Sequence, residues 1–188
     1  MKNCKFLVLA ISLVLLSTSP SFGWAFQTYQ KLPSLNNDLT WQGVLNYAQE
    51  HLPMEGQLLK KSNGLIYLKV DDDYIHTLFP LLGLKEEGFK KPPYFCTQEA
   101  IGAHISVIRA DENKDIPLDE VGQYFRFELK QIVIVKPAKD KSYAVIQVAV
   151  PELEKLRQKY GLGPKPHGHE YHISLAIKTP RHAKKRIQ

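Results

Sequence analysis

The sequence predicts an α+β fold: two pseudo-symmetric sheet-and-helix lobes about a central groove. Three observations carry this reading. The tripeptide His-Ile-Ser occurs twice, as His104-Ile105-Ser106 and His172-Ile173-Ser174. Each copy lies in an alternating run rich in β-branched residues, the signature of a strand. Both halves also share one order: strand, helix, Lys/Pro loop, His-Ile-Ser strand. That order reads as a divergent duplication, each lobe built on its own antiparallel or mixed sheet with helices outside. The gap between helix and motif is longer in the first half, so the symmetry is approximate.

The chain of 188 residues opens with Lys2 and Lys5, an apolar run from Phe6 to Leu16, and then Ser17, Ser19, Ser21 and Gly23. This is the pattern of a secretory signal peptide cleaved after Gly23, so residues 1–23 are set apart from the fold. The run is shorter than a membrane span, and none is expected in the mature form. An exported protein, periplasmic or secreted, is the expectation. Residues 24–63 form a lead-in and a helix. The stretch from Trp24 to Asn37 is extended. Thr40 caps a helix whose apolar stripe is Trp41, Val44, Leu45, Ala48 and Leu52, ending at Pro53.

The domain proper spans residues 64–180, and residues 181–188 form a basic tail. Gly64 opens a strand from Leu65 to Val70. Asp71 to Asp73 cap a short helix carrying Tyr74, Ile75, Leu78 and Phe79, which Pro80 ends or kinks. A Gly/Lys/Pro loop, Gly88 to Pro93, leads through Tyr94 and Phe95 to the first motif. In the second half, Gln123 to Val135 and Ser142 to Val148 read as strands. Pro151 suits the first position of a helix with Leu153, Leu156 and Tyr160 on its apolar stripe. Glu152 and Glu154 complement its positive end, Arg157 and Lys159 its negative end, and Gly161 stops it. Pro164, Lys165 and Pro166 feed the second motif. The mature chain keeps one cysteine, Cys96, which reads as a small buried hydrophobe.

A strand has a side-chain period of two. His104 and Ser106 therefore share one face, His172 and Ser174 the equivalent face, and the aliphatics between them point into the core. Two imidazoles and two hydroxyls are equipment for acid–base chemistry on a phosphate. Histidine serves as base or acid near neutrality, and hydroxyls stabilise non-bridging oxygens. The formal net charge of +6 suits an anionic ligand such as a nucleotide or RNA. Neighbouring candidates for substrate contact are Tyr94, Lys165, His169 and Glu170, with Lys91 in the loop equivalent to that of Lys165. His167, His169 and His172 also raise the alternative of an imidazole-ligated metal, completed by His104 or Glu170. Asp71 to Asp73 read as a cap rather than a cation site, and Phe125 and Phe127 as core.

The paired pattern His-x-Ser-x-hydrophobic resembles the two-histidine (2H) phosphoesterase superfamily. The resemblance runs from about Gly64 to Lys178. It implies a bilobal fold with the active site in the groove between lobes, catalytic His104 and His172, and phosphate-binding Ser106 and Ser174. It implies a metal-independent phosphodiesterase acting on a 2′,3′-cyclic or 2′-5′ linkage, with no cofactor. The expected partner is a nucleotide or RNA-derived diester, not duplex DNA, and the expected state is a monomer. The alternatives are a nucleotide-binding module without turnover and a His-ligated metallohydrolase.

Overall fold

A computed structural model describes residues 37–97, 100–112, 116–138 and 141–179. The signal-peptide reading, the lead-in up to residue 36 and the basic tail lie outside the described residues.

Helix α1 (Asn37–His51) starts three residues before Thr40, which therefore sits in the first turn and not at the cap. Its stripe behaves as expected, with Val44, Leu45 and Ala48 buried. Strand β1 (Glu55–Lys60) follows and turns back into β2 (Ile66–Lys69). The turn closes with the Gly64 N–H donating to the Lys61 carbonyl at 2.9 Å. The cap position is Asp72, whose side chain makes no capping bond; it is Asp71 Oδ1 that accepts the Asp73 N–H, at 2.9 Å. The helix it starts is split into α2 (Asp73–His76) and α3 (Leu78–Leu81). The break falls at Thr77 because Pro80 has no N–H for the His76 carbonyl and its ring crowds that carbonyl.

Strand β3 (His104–Ile108) carries the first motif. The long stretch from Gln123 is two strands, β4 (Tyr124–Arg126) and β5 (Glu128–Ala138). They part at Phe127, whose N–H still donates toward the β1 side, to the Met54 carbonyl at 3.0 Å, before the chain turns to pair with β6. Strand β6 (Lys141–Ala149) pairs back on β5 and leads to α4 (Pro151–Lys159), with Pro151 at its start. A single 3₁₀ turn (Pro166–Gly168) precedes β7 (His172–Lys178), the second motif strand.

The seven strands form one antiparallel sheet in the order β4-β1-β2-β3-β7-β6-β5. Here the structure departs from the expectation of one sheet per lobe. The two motif strands lie side by side at its centre, which removes two exposed edges that separate sheets would present. The β1–β2 hairpin flanks β3, and the β5–β6 hairpin flanks β7. Ile105, Val107, Ile173 and Leu175 are fully buried against the helices, as their strand parity requires. Phe125 and Phe127 join the same core. Cys96 does not: it is exposed, on the bend that follows the Tyr94-Phe95 turn. No helix among the described residues is long and apolar enough to cross a membrane.

Candidate active site

The site follows from one register. Strands β3 and β7 pair antiparallel with Ile105 opposite Ile173. Counting one residue either way sets His104 opposite Ser174 and Ser106 opposite His172. Residues opposite one another in an antiparallel pair project to the same face. The four polar side chains thus form a quartet with imidazoles on one diagonal and hydroxyls on the other. Diagonal neighbours of this kind are about 7–8 Å apart, room for one phosphate group between the rings.

Both imidazoles are held in the same way. His104 Nδ1 lies 2.8 Å from the Gly102 carbonyl oxygen, and His172 Nδ1 lies 2.8 Å from the Glu170 carbonyl oxygen. A carbonyl only accepts, so each contact requires the hydrogen on Nδ1. In the neutral ring the lone pair is then on Nε2, the nitrogen available for proton exchange. Burial pushes both imidazoles below the ordinary histidine value. The bonds to the Gly102 and Glu170 carbonyls favour the charged form and offset this only in part. The charge of His172 lowers His104 further, and that of His169 lowers His172.

The backbone that aims His104 is itself anchored. The Gly102 N–H donates to the Tyr94 carbonyl at 3.0 Å. The Ala103 N–H donates to Asp72 Oδ1 at 2.8 Å, and Asp72 is ion-paired with Lys69. Tyr94 bridges the two motifs. Its ring meets the His104 ring edge-on at 4.7 Å between centroids, and its hydroxyl is hydrogen-bonded to the Ser174 side chain. Burial raises the Tyr94 pKa, so the phenol stays neutral. Tyr67 meets the other side of the site, edge-on to His104 at 5.9 Å.

A cleft of about 450 Å³ opens over this quartet. His104, Ser106, His172 and Ser174 all line it, as do Tyr94, His169 and Glu170. Lys165 is turned to Glu170, with Nζ 2.6 Å from Oε1. Lys91 is drawn to His76, its Nζ 3.1 Å from Nδ1. His167, in a left-handed conformation at φ 47°, points to Asp111 with Nε2 3.1 Å from Oδ2. Among the described residues no three His, Cys, Asp or Glu side chains come together as a metal-ligand set.

The structure adds residues that the sequence reading passed over. Arg109, Lys141, Tyr143 and Gln147 line the cleft. Gln147 had a visible signal: it is the lone polar residue in the apolar run Ala144 to Val150. Arg109 follows the first motif directly, in a position the strand pattern does not distinguish.

A family described as the Swiss Army Knife 2H phosphoesterase domain matches residues 66–183, a span that holds both motifs. No curated protein and no solved structure matches the chain.

Proposed function

We propose, from the premise that this chain belongs to the 2H phosphoesterase family, that it is a metal-independent hydrolase of nucleotide or RNA-derived phosphodiesters. Family membership implies a phosphoesterase enzyme; the 2′,3′-cyclic or 2′-5′ linkage is our reading. One imidazole takes a proton at Nε2 from the attacking water as its oxygen bonds to phosphorus. The other gives a proton from Nε2 to the departing ester oxygen as the P–O bond breaks. The Ser106 and Ser174 hydroxyls donate to the non-bridging oxygens, where charge develops. Tyr94 holds Ser174 and stands against His104. The hairpin–helix–strand order on each side of the central strand pair supports the duplicated, two-lobed reading. Export to the periplasm or beyond follows from the leader pattern of Lys2 to Gly23 and rests on that alone.

The carrying observation is the identical Nδ1-to-carbonyl hold on both histidines, which leaves two Nε2 atoms for proton transfer. The test is a panel of 2′,3′-cyclic nucleotides and 2′-5′ oligoadenylates, with wild type, His104→Ala and His172→Ala, in chelator. Each variant is expected to lose about 10²- to 10⁴-fold in kcat/KM. The double variant should be little worse than either single one, because the pair acts as a unit. Binding without turnover makes the protein a nucleotide-binding module. Activity lost in chelator and restored by a metal makes it a metallohydrolase.

A further inference from the structure

We infer that Gln147 is a specificity-determining donor: with its amide aimed by Gln131, it reads a carbonyl acceptor on a planar base carried by the substrate. The inference rests on the phosphodiesterase reading above and deepens it by naming what the phosphate is attached to.

Three facts combine. The first is position. Gln131, Gln147 and His172 stand opposite one another across β5, β6 and β7. Gln147 thus lies one strand beyond His172, on the same face as the quartet. The second is surroundings. On the β5–β6 side the cleft is lined by Val135, Pro137, Tyr143 and Val145, with Lys141 at the far end and Gln147 at the end next to His172. A mainly apolar and aromatic wall with an amide set at one end fits a flat heteroaromatic ring better than an open chain of hydroxyls. The third is the amide itself. Gln147 is only 6 % exposed. Its Oε1 is occupied by the Gln131 Nε2 donor at 2.7 Å. Among the described residues its Nε2 has no hydrogen-bond partner. A buried N–H without an acceptor is costly, and such groups mark places where another molecule completes the bond.

The orientation follows from chemistry. Because Gln131 donates to the Gln147 carbonyl, only the NH₂ end is left for the cleft. The site therefore accepts a ring carbonyl, as in a uracil-type base, and disfavours an amino group at that place. Gln131 is exposed, so it can be altered without disturbing the core.

Calorimetric titration of the whole protein tests this, with uridine 3′-monophosphate and inorganic phosphate as probes. Wild type should bind the nucleotide more tightly than phosphate. Gln147→Leu should weaken nucleotide binding roughly five- to tenfold and leave phosphate unchanged. Gln131→Glu should do the same by a different route. Its ionised carboxylate only accepts, so it captures the Gln147 NH₂ and turns the carbonyl to the cleft. A merely structural role for Gln147 predicts no such response to the exposed, isosteric change. Equal loss of both probes, no loss in either variant, or a nucleotide no tighter than phosphate overturns the inference. Phosphate binding indifferent to His104→Ala and His172→Ala instead overturns the reading of the histidine site. Failure of both probes to bind wild type overturns both.

Discussion

Arg157 grips Glu112 with two prongs, Nη2 to Oε1 at 2.7 Å and Nη1 to Oε2 at 3.1 Å. Its remaining hydrogens go to the carbonyls of Val107, Gly163 and Lys165 at 2.7, 2.7 and 3.2 Å. A guanidinium has five N–H donors, and here all are engaged. One side chain thus ties α4 to the end of the first motif strand and to the approach of the second. It is 1 % exposed, and the Glu112 side chain 11 %. Burial alone would raise the Glu112 pKa, but the Arg157 bonds hold it below the usual glutamate value. Arg157→Leu leaves that carboxylate without its cation and should cost about 3–5 kcal/mol in urea unfolding. Adding Glu112→Leu should recover part of the loss. Additive losses in the double variant would contradict the ion-pair account.

Gly102→Ala should harm activity beyond its effect on stability. Gly102 has φ +65°. A Cβ there would collide with Asp72 Oδ1 and come 2.8 Å from Lys69 Nζ. Left-handed backbone alone costs a non-glycine residue about 1–2 kcal/mol. The same substitution shifts the carbonyl that holds the His104 ring, so kcat should fall more than KM rises. The comparator is Gly43→Ala on the exposed side of α1, where nothing lies within 4 Å of the added carbon. There melting should show a gain of about 0.5–1 kcal/mol with unchanged turnover.

The pH profile of kcat/KM reports the free enzyme's acid and base. Both histidines are lowered from the ordinary value of 6.5. In the proposed mechanism one is neutral and one protonated, so the bell should peak on the acid side of 6.5. In the substrate complex the phosphate anion favours the protonated ring, and the optimum in kcat should move upward from there. A free-enzyme optimum near pH 8 would count against the assignment of both groups.

Stability should also fall with acid, and the sign follows from linkage. In the unfolded chain these histidines titrate near 6.5, and in the fold they titrate lower. Below 6.5 the unfolded state therefore binds more protons than the native state, so stability rises with pH through this window. The contribution is complete above 6.5 and is lost as pH drops through the native values. Melting between pH 7.5 and 5 should show this decline. His104→Gln with His172→Gln should flatten it, and an unchanged slope would assign it to other groups.

The strands of the motifs, the start of α4 and the stripe of α1 were legible because each has its own period or its own cap. Ile105 and Ile173 point inward because a strand alternates, whatever its neighbours are. Strand β1 was not legible: Glu55 to Lys60 has no β-branched residue, and it forms because β2 and β4 pair with it on either side. The adjacency of β3 and β7 was equally hidden, since strand pairing across a long connection leaves no local mark. The same holds for Arg157, which sequence assigns to the exposed end of a helix dipole. Only the fold brings Glu112 to it. Lys165 reads as a substrate contact because its charge is visible, while its pairing with Glu170 is made through space.

Two copies of a motif in one chain suggest a spare. The pairing of Ile105 with Ile173 denies that. It sets each imidazole beside the hydroxyl of the other copy, so neither copy holds a complete set of its own. Damage to one is not buffered by the other. A half expressed alone would assemble such a quartet only on meeting a second half, and the repeated His-Ile-Ser thus carries within one chain what would otherwise require a dimer.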